Sequence, residues 1–251
     1  MGRRCAKAKG QSGAQLALTA RGDGPSVAVF PDTKAPFPMT RTLLCFGDSN
    51  THGAPPIHAA GEPYSRHDVQ TRWTRVAGAA LGQGWEVIEE GLGGRTAQFD
   101  DPLMGSHMNG RDGLKIALNS HGPIDVLTLM LGTNDVKARF STTPAQVVAG
   151  IAGLLDIALG LEQQTRHGGF KVLLICPPPV VETGPFRGEF WGAAALSQAL
   201  PPLYGALAAA RGCGFLDAGQ LIAVSPVDGI HYDAAAHGVL GAAIATAVAG
   251  M

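Results

Sequence analysis

Thr42-Leu-Leu-Cys-Phe-Gly-Asp-Ser-Asn-Thr-His-Gly53 joins an apolar run to a polar turn. Residues 43–46 are typical of a buried strand, and Gly47 with Asp48 ends that strand in a tight turn. Ser49 is then predicted to leave the sheet at its carboxyl edge, where open α/β sheets bind ligands. Gly-Asp-Ser is also a common turn sequence, so a purely structural role explains Ser49 equally well. The rest of the chain has to decide between these two interpretations.

Strands and helices alternate along the chain. Further apolar runs predict strands at 85–90, 125–131, 171–176 and 214–217. Helical spacing predicts helices at 73–81, at 144–161, at 189–211 with an interruption at Pro201-Pro202, and after a cap at Asp233. This order predicts an α/β fold, a three-layer α/β/α sandwich around a central parallel sheet of about five strands.

The composition is that of one large domain. The chain has 251 residues, of which 16% are charged and 45% hydrophobic, and its formal net charge is −1. This balance gives no basic surface for nucleic acid or an anionic membrane, so neither is an expected partner. No apolar run reaches the roughly 18 residues that a membrane-spanning helix needs.

The cysteines and the first residues bear on location and domain boundaries. Cys5, Cys45, Cys176 and Cys213 are scattered without a Cys-x-x-Cys pair, which favours buried thiols in a reducing compartment, and so a cytoplasmic protein. Residues 1–38 begin with basic residues but lack the apolar segment of a signal peptide. We predict a flexible N-terminal extension at 1–38 and one folded domain at 39–251.

A glycine-rich turn, Gly91-Leu-Gly-Gly-Arg-Thr96, follows the second predicted strand. A dinucleotide fingerprint, Gly-x-Gly-x-x-Gly, would need glycine at position 96, which is Thr. No cofactor is therefore predicted. The turn is either structural or a place where backbone N–H groups approach a ligand.

Asp228 and His231 stand three residues apart in a late loop. In hydrolytic catalysis an imidazole takes the proton of a serine, and a carboxylate orients the ring and stabilises its cation. Such a site also needs donors for an oxyanion, and the candidates are the N–H of Ser49, the N–H of Gly94 and the amide of Asn134. A turn dipeptide and a histidine near the last helix are the structural alternative for the late loop.

Four blocks in this order resemble the SGNH or GDSL hydrolase family: Gly47-Asp-Ser49, a glycine in the second turn, Gly132-Thr-Asn-Asp135 and Asp228-Gly-Ile-His231. The resemblance implies an SGNH, flavodoxin-like fold over about residues 41–249. It implies Ser49 as nucleophile, His231 as base and Asp228 as its partner. It also implies Gly94 and Asn134 as oxyanion donors, together with the N–H of Ser49.

Longer blocks are similar to the arylesterase, acyltransferase and perhydrolase branch: Arg72-Trp-Thr74, Glu89-Glu-Gly-Leu-x-x-Arg-Thr96, Leu131-Gly-Thr-Asn-Asp-x-Lys137 and Pro177-Pro-Pro179. That resemblance implies hydrolysis or transfer of short acyl groups through an acyl-enzyme, and often assembly into oligomers. We therefore expect an ester substrate and a homo-oligomer.

Two departures from the family pattern affect the expected pocket. Asn50 stands where the family name has Leu, and His52 stands where the branch usually has Trp. Both put a polar group near the predicted acyl pocket, which leaves perhydrolysis and acyl transfer open. The second-block glycine is Gly93 or Gly94, and Gly94 is favoured because Arg-Thr follows it, as in the branch.

The loops 53–68 and 179–190 are the predicted walls of the pocket, because both leave strand ends near Ser49. The predicted wall residues are His52, Ala54, Pro55, Pro56, Ile57, Phe186, Phe190 and Trp191, with Asn50 and Arg95 as further pocket candidates. Such walls are partly apolar and narrow at the acyl side. They predict a preference for acetyl to butyryl esters with good leaving groups.

Three alternatives to an arylesterase are weighed. A carbohydrate O-acetyl esterase would use the same fold and the same residues. A metal-dependent phosphoesterase would draw on Asp48, His52, Asp135 and His231, but these lack the carboxylate-rich clustering of a two-metal site, so no metal is predicted. An α/β-hydrolase would show Gly-x-Ser-x-Gly, but position 51 is Thr.

Two basic residues, Lys137 and Arg139, follow the third block. We expect them either to lie on a solvated helix face or to attract a substrate that carries a carboxylate.

Overall fold

A computed structural model describes residues 40–251, and the predicted extension at 1–38 lies outside the described residues. The strands are β1 Arg41–Gly47, β2 Trp85–Gly91, β3 Val126–Met130, β4 Lys171–Cys176 and β5 Gly214–Asp217. The α-helices are α1 Ser49–His52, α2 Trp73–Leu81, α3 Gly110–Ser120, α4 Pro144–Ala158, α5 Leu161–His167, α6 Ala193–Gln198, α7 Leu200–Arg211 and α8 Ala234–Ala249. Short 3-10 helices lie at Ser106–Met108, Asn134–Val136, Ala138–Phe140, Gly184–Phe186 and Ala218–Gln220.

The five strands form one parallel sheet in the order β2-β1-β3-β4-β5. This is the flavodoxin-like order, in which the connections after β1 and β3 leave toward opposite faces of the sheet. A crevice therefore opens at the carboxyl ends of β1 and β3. Ser49 follows β1 and Asn134 follows β3, so the topology brings these two predicted site residues to the crevice.

Alternate residues of the strands enter two separate cores. Leu44 and Phe46 of β1 pack with α3, α4 and α7 on one face, and Leu43 and Cys45 pack with α2 and α8 on the other. Both faces of the sheet are covered, which explains why the strands are nearly continuous apolar runs. The three-layer α/β/α fold and the parallel sheet are confirmed.

Most element bounds agree with the sequence pattern. Asp233 caps α8 by accepting a hydrogen bond from the N–H of Ala236, as predicted. The helix predicted at 144–161 ends at Ala158, and a separate helix that was not predicted, α5, begins at Leu161. The chain breaks at Ala199 rather than at Pro201-Pro202, because the prolines occupy the first turn of α7, where no N–H is needed. Helix α3 was not predicted.

Among residues 40–251 no single helix is long and apolar enough to cross a membrane. Helices α4 and α5 reach that length and composition only as a pair, and they meet at a bend of 49°.

Candidate active site

A chain of two hydrogen bonds links Ser49, His231 and Asp228. The Oγ atom of Ser49 lies 3.0 Å from Nε2 of His231, and Nδ1 of His231 lies 2.6 Å from Oδ2 of Asp228. Because the carboxylate can only accept at Nδ1, Nδ1 carries the proton and Nε2 is free to accept from the serine hydroxyl. The structure thus brings together the three residues that the sequence placed on two distant loops.

The turn that presents Ser49 has little freedom. The carboxylate of Asp48 accepts from the N–H of Asn50 at 2.9 Å and so caps α1. Gly47 is required at the end of β1, because a Cβ atom there would lie 2.0 Å from Oγ1 of Thr51 and 2.7 Å from the carbonyl oxygen of Met130. The serine therefore leaves the strand in one defined direction.

Asp228 is buried but well supplied with donors. Its Oδ1 accepts from the N–H groups of Ile230 and His231 at 3.1 and 3.0 Å, and its Oδ2 accepts from Ile57 N–H at 2.8 Å as well as from the imidazole. Burial alone would raise its pKa, but the hydrogen bonds and the charge of His231 outweigh burial and hold the pKa of Asp228 below its ordinary value. The carboxylate stays ionised at neutral pH.

The candidate oxyanion donors lie around Ser49. The amide of Asn134 donates to the carbonyl oxygen of Arg95 at 3.1 Å, which fixes its orientation. Gly93 and Gly94 line the same cavity as Ser49, and within residues 40–251 the N–H groups of Ser49, Gly93 and Gly94 have no protein acceptor. Gly94 stays the predicted donor of the two glycines.

The remaining motif residues form a buried layer next to the nucleophile. The pKa of Asp48 is raised to about 6 and that of Asp135 to about 7, in both cases chiefly because burial disfavours the charged form. Both oxygens of Asp135 accept from the single N–H of Ala97 at 2.9 Å. The contact between Ala97 and Asp135 holds the glycine-rich turn Gly91–Thr96 against the segment Gly132–Asp135.

The blocks Arg72-Trp-Thr74 and Glu89-Glu-Gly91 meet behind the nucleophile turn. Arg72 and Thr74 both donate to the carboxylate of Glu89, with 2.9 Å between Nε of Arg72 and Oε1. The indole N–H of Trp73 donates to the carbonyl oxygen of Asn50 at 3.1 Å. These contacts anchor α1 to α2 and β2, so Arg72-Trp-Thr74 and Glu89 support the site from behind, whereas Gly91 lines the cavity itself.

A cavity of about 580 Å³ opens at Ser49 and His231. The predicted wall residues that line it are His52, Ala54, Pro55, Ile57, Phe186 and Phe190. Its wall also includes residues that the sequence did not single out: Glu62, Pro63, Tyr64, Ser65, Leu92, Met104, Glu189 and Ile230. The loops predicted to form the walls therefore do so.

Four pocket candidates were wrong, and one of them, Pro56, does not line the cavity although its neighbours do. Asn50 is 1% exposed and turns its amide away from the cavity toward the carbonyl oxygen of Ile230. Arg95 is buried and donates to the carbonyl oxygens of Gly47 and Glu90, because these carbonyl groups and the ring of Phe46 attract the guanidinium inward. Trp191 is 65% exposed and lies outside the cavity.

Lys137 is buried instead of lying on a solvated helix face. It lines the cavity, its Nζ atom lies 3.7 Å from Oε2 of Glu189, and burial followed by the charge of Arg139 lowers its pKa. His52 also lines the cavity and shares a 2.6 Å hydrogen bond with the hydroxyl of Tyr64. The position of Lys137 in the third block, three residues after Asn134, is the sequence signal that pointed to the site.

The residues considered for a metal site do not converge. Within residues 40–251 no three His, Cys, Asp or Glu side chains form a group that could hold a metal ion. The carboxylate of Asp135 is taken up by Ala97, and the ring of His231 is taken up by Ser49 and Asp228. The metal-dependent alternative gains no support from this geometry.

Comparisons with known proteins identify the family of this chain. The family model of the GDSL-like lipase/acylhydrolase family matches residues 45–239. A carbohydrate acetylesterase from Sinorhizobium meliloti is 39% identical, with 84% of this chain and 99% of that chain covered and a TM-score of 0.78. An aryl esterase from M. smegmatis in its inhibitor-bound form is 38% identical, with the same coverage and a TM-score of 0.79. The search of curated proteins gave no match.

Proposed function

Because the chain belongs to the GDSL-like lipase/acylhydrolase family, it is an esterase that acts on carboxylic esters, and we propose that Ser49 is its nucleophile. The observation that carries this proposal is the Ser49–His231–Asp228 chain, with separations of 3.0 and 2.6 Å, at the mouth of a cavity of about 580 Å³. A nucleophile, a base and an orienting carboxylate within hydrogen-bond reach are what acyl transfer requires.

In the proposed mechanism, Oγ of Ser49 attacks the carbonyl carbon of the ester while Nε2 of His231 takes the hydroxyl proton. Asp228 keeps the imidazole in its Nδ1–H tautomer and stabilises the cation. The N–H groups of Ser49 and Gly94 and the amide of Asn134 stabilise the negative charge on the former carbonyl oxygen. Collapse expels the alcohol, which takes the proton from His231, and leaves an acyl group on Ser49.

Water then completes the reaction by the same steps. His231 takes a proton from water, the resulting nucleophile attacks the acyl carbon, and the carboxylic acid leaves as Ser49 regains its proton. An alcohol that replaced water would be acylated instead. Transfer would appear as a new ester when an alcohol is added to the reaction.

The proposed substrates are short acyl esters, acetyl to butyryl, with aromatic or other good leaving groups. The cavity wall near the nucleophile is largely apolar, with Ile57, Phe186, Phe190 and Ile230 around Ser49 and His231. A series of p-nitrophenyl esters tests this preference. A kcat/KM that peaks at eight carbons or longer would contradict it.

A polar part of the wall favours carbohydrate O-acetyl esters as a second candidate. His52 and Tyr64 are hydrogen-bonded to each other, and Glu62, Ser65 and Glu189 also line the cavity. Hydroxyl groups of a sugar could exchange hydrogen bonds with such side chains. Comparing kcat/KM for an acetylated monosaccharide with that for p-nitrophenyl acetate distinguishes the two candidates, and a Tyr64→Phe variant should weaken only the use of the sugar ester.

Turnover of p-nitrophenyl acetate by Ser49→Ala tests the nucleophile itself. We expect kcat to fall more than about 1,000-fold while the thermal melt is kept, because the hydroxyl contributes chemistry and little packing. Ser120→Ala, at the exposed end of α3, is the matched control and should keep full activity. EDTA should leave the wild-type rate unchanged.

The cytoplasmic location, the homo-oligomer and the domain boundary at residue 39 stay predictions.

A further inference from the structure

Asn50 directly follows the proposed nucleophile, yet its side chain points away from the cavity. It is 1% exposed, and its Nδ2 atom donates to the carbonyl oxygen of Ile230 at 3.0 Å. The opposite amide orientation would set an oxygen against that carbonyl, so the contact itself assigns Nδ2 to this position. Ile230 is the residue directly before His231.

Two consecutive residues after β1 are therefore hydrogen-bonded to two consecutive residues of the late loop. Ser49 contacts His231 through their side chains, and Asn50 contacts Ile230 one residue away on both segments. Among residues 40–251, these two are the hydrogen bonds that join the turn 48–53 to the loop 225–232. The Ser49–His231 bond has to break and reform during turnover, so between these two ranges the Asn50–Ile230 bond is the one that lasts. Farther from the nucleophile, the N–H of Ile57 also holds this loop through Asp228.

The backbone of Asn50 is held independently of its side chain. Its N–H donates to Asp48 at 2.9 Å, and its carbonyl oxygen accepts from Trp73 at 3.1 Å. Replacing the side chain would leave both contacts in place. Only the link to the loop that carries His231 depends on the amide.

The amide is a poor choice for stability alone. Its Oδ1 atom is buried without a hydrogen-bond partner in residues 40–251. Burying an unsatisfied acceptor costs stability, whereas an apolar side chain of similar size would not carry that cost. The asparagine therefore has a use other than filling the core.

We propose that Asn50 is a positioning residue, which sets the distance between Ser49 and His231 by holding the carbonyl group of Ile230. The inference rests on the proposed role of Ser49 and His231, and it concerns how the two segments are kept in register. A loop released at Ile230 would let the imidazole drift from the serine hydroxyl. Misplacement by about 1 Å can cost about 100-fold in rate.

Asn50→Leu and Asn50→Asp test the proposal with p-nitrophenyl acetate. Leu keeps the volume and removes the donor, and Asp keeps the shape but turns an acceptor toward the carbonyl oxygen. We expect kcat to fall about 10- to 100-fold in both variants with KM within about two-fold, because substrate binding does not involve the amide. The rate of inactivation by diethyl p-nitrophenyl phosphate should fall by the same factor. Asn50→Leu should stay folded with a Tm within a few degrees of wild type, because it removes the unsatisfied Oδ1 but leaves the carbonyl oxygen of Ile230 without this donor.

Asn119→Leu is the control, since Asn119 is exposed on α3 and, within the described residues 40–251, its amide donates to the carbonyl oxygen of Lys115 in the same helix. A kcat of Asn50→Leu within two-fold of wild type would overturn the proposal. So would loss of the folded state in both Asn50 variants, which would make Asn50 a folding residue. If the wild type neither turned over the ester nor reacted with the phosphate ester, the proposed nucleophile would fail instead.

Discussion

Asp228 and Asp135 are buried to the same degree, at 1% and 0% exposure, but their pKa values shift in opposite directions. Asp228 accepts hydrogen bonds from three backbone N–H groups and from the imidazole of His231. Asp135 accepts from Ala97 N–H and has the carboxyl group of Asp48 within electrostatic range. Burial raises the pKa of both groups, and only at Asp228 do hydrogen bonds and the charge of His231 outweigh it, so that this carboxyl group stays charged.

This difference separates two regions around Ser49. The Asp228 region stabilises a charge that appears during the reaction, because an ionised carboxylate faces the imidazole. The Asp48 and Asp135 region holds loops together, and its acids are drawn toward the neutral form. Motif residues of both regions are equally prominent in the sequence, so mutation has to distinguish chemistry from support.

The largest effect is expected for Asp228→Asn. The amide cannot hold the imidazole in the Nδ1–H tautomer, so we expect kcat for p-nitrophenyl acetate to fall about 10⁴-fold at neutral pH. Steady-state kinetics at saturating substrate measure this change. An unchanged rate would mean that another group orients His231. It would contradict the assignment of chemistry to the Asp228 region.

Much of the fold could be predicted because strands and caps are local signals. Strand β4 is an apolar run with a clear start at Lys171, and the cap at Asp233 is a single-residue feature. Helix α3 escaped prediction because Gly110 and Gly113 weaken its propensity and few of its residues are apolar. Tertiary packing stabilises that helix instead.

The site could be predicted as far as the backbone determines it. Ser49 and Asn134 follow neighbouring strands, so topology alone brings them to one edge. Asn50 and Arg95 were assigned to the pocket because they lie next to site residues in sequence. Their side chains turn inward to carbonyl groups that only the folded chain supplies, which no spacing rule reveals.

Asn134→Ala should have the next largest effect and tests the border between the two regions. Its amide donates to Arg95 and lies 3.5 Å from Asp48, yet it also lines the cavity beside Ser49. If it is an oxyanion donor, kcat should fall about 100- to 1,000-fold with little change in KM. A fall in thermal stability without a fall in kcat would assign Asn134 to the supporting region.

Asp135→Asn should change the rate far less than the matched Asp228→Asn. An amide can still accept from Ala97, so we expect kcat to stay within about 10-fold of wild type. The same assay measures both variants side by side. A loss as large as that of Asp228→Asn would give Asp135 a part in the chemistry.

The smallest expected effect is on the pH dependence of stability, and its sign differs between the regions. The pKa of folded Asp135, about 7, exceeds its unfolded value. The contribution of Asp135 to the free energy of unfolding is therefore lost as pH rises from about 4 to about 7. Over that range Asp135→Asn should gain several degrees in Tm relative to wild type. Asp228 has a lowered pKa, so its contribution is lost only as pH falls below about 4. Thermal melts from pH 3 to 8 would show both trends, and equal slopes for the two variants would contradict the assignment.

The most direct test of Ser49 as the nucleophile is covalent labelling. Diethyl p-nitrophenyl phosphate transfers a diethylphosphoryl group to an activated serine and releases p-nitrophenol, so the site can be read by peptide mass spectrometry. We predict one label for each chain, on Ser49, with esterase activity lost in proportion, and no label on Ser49→Ala. A label on another residue that tracks the loss of activity, or full activity in the Ser49→Ala variant, would contradict the account.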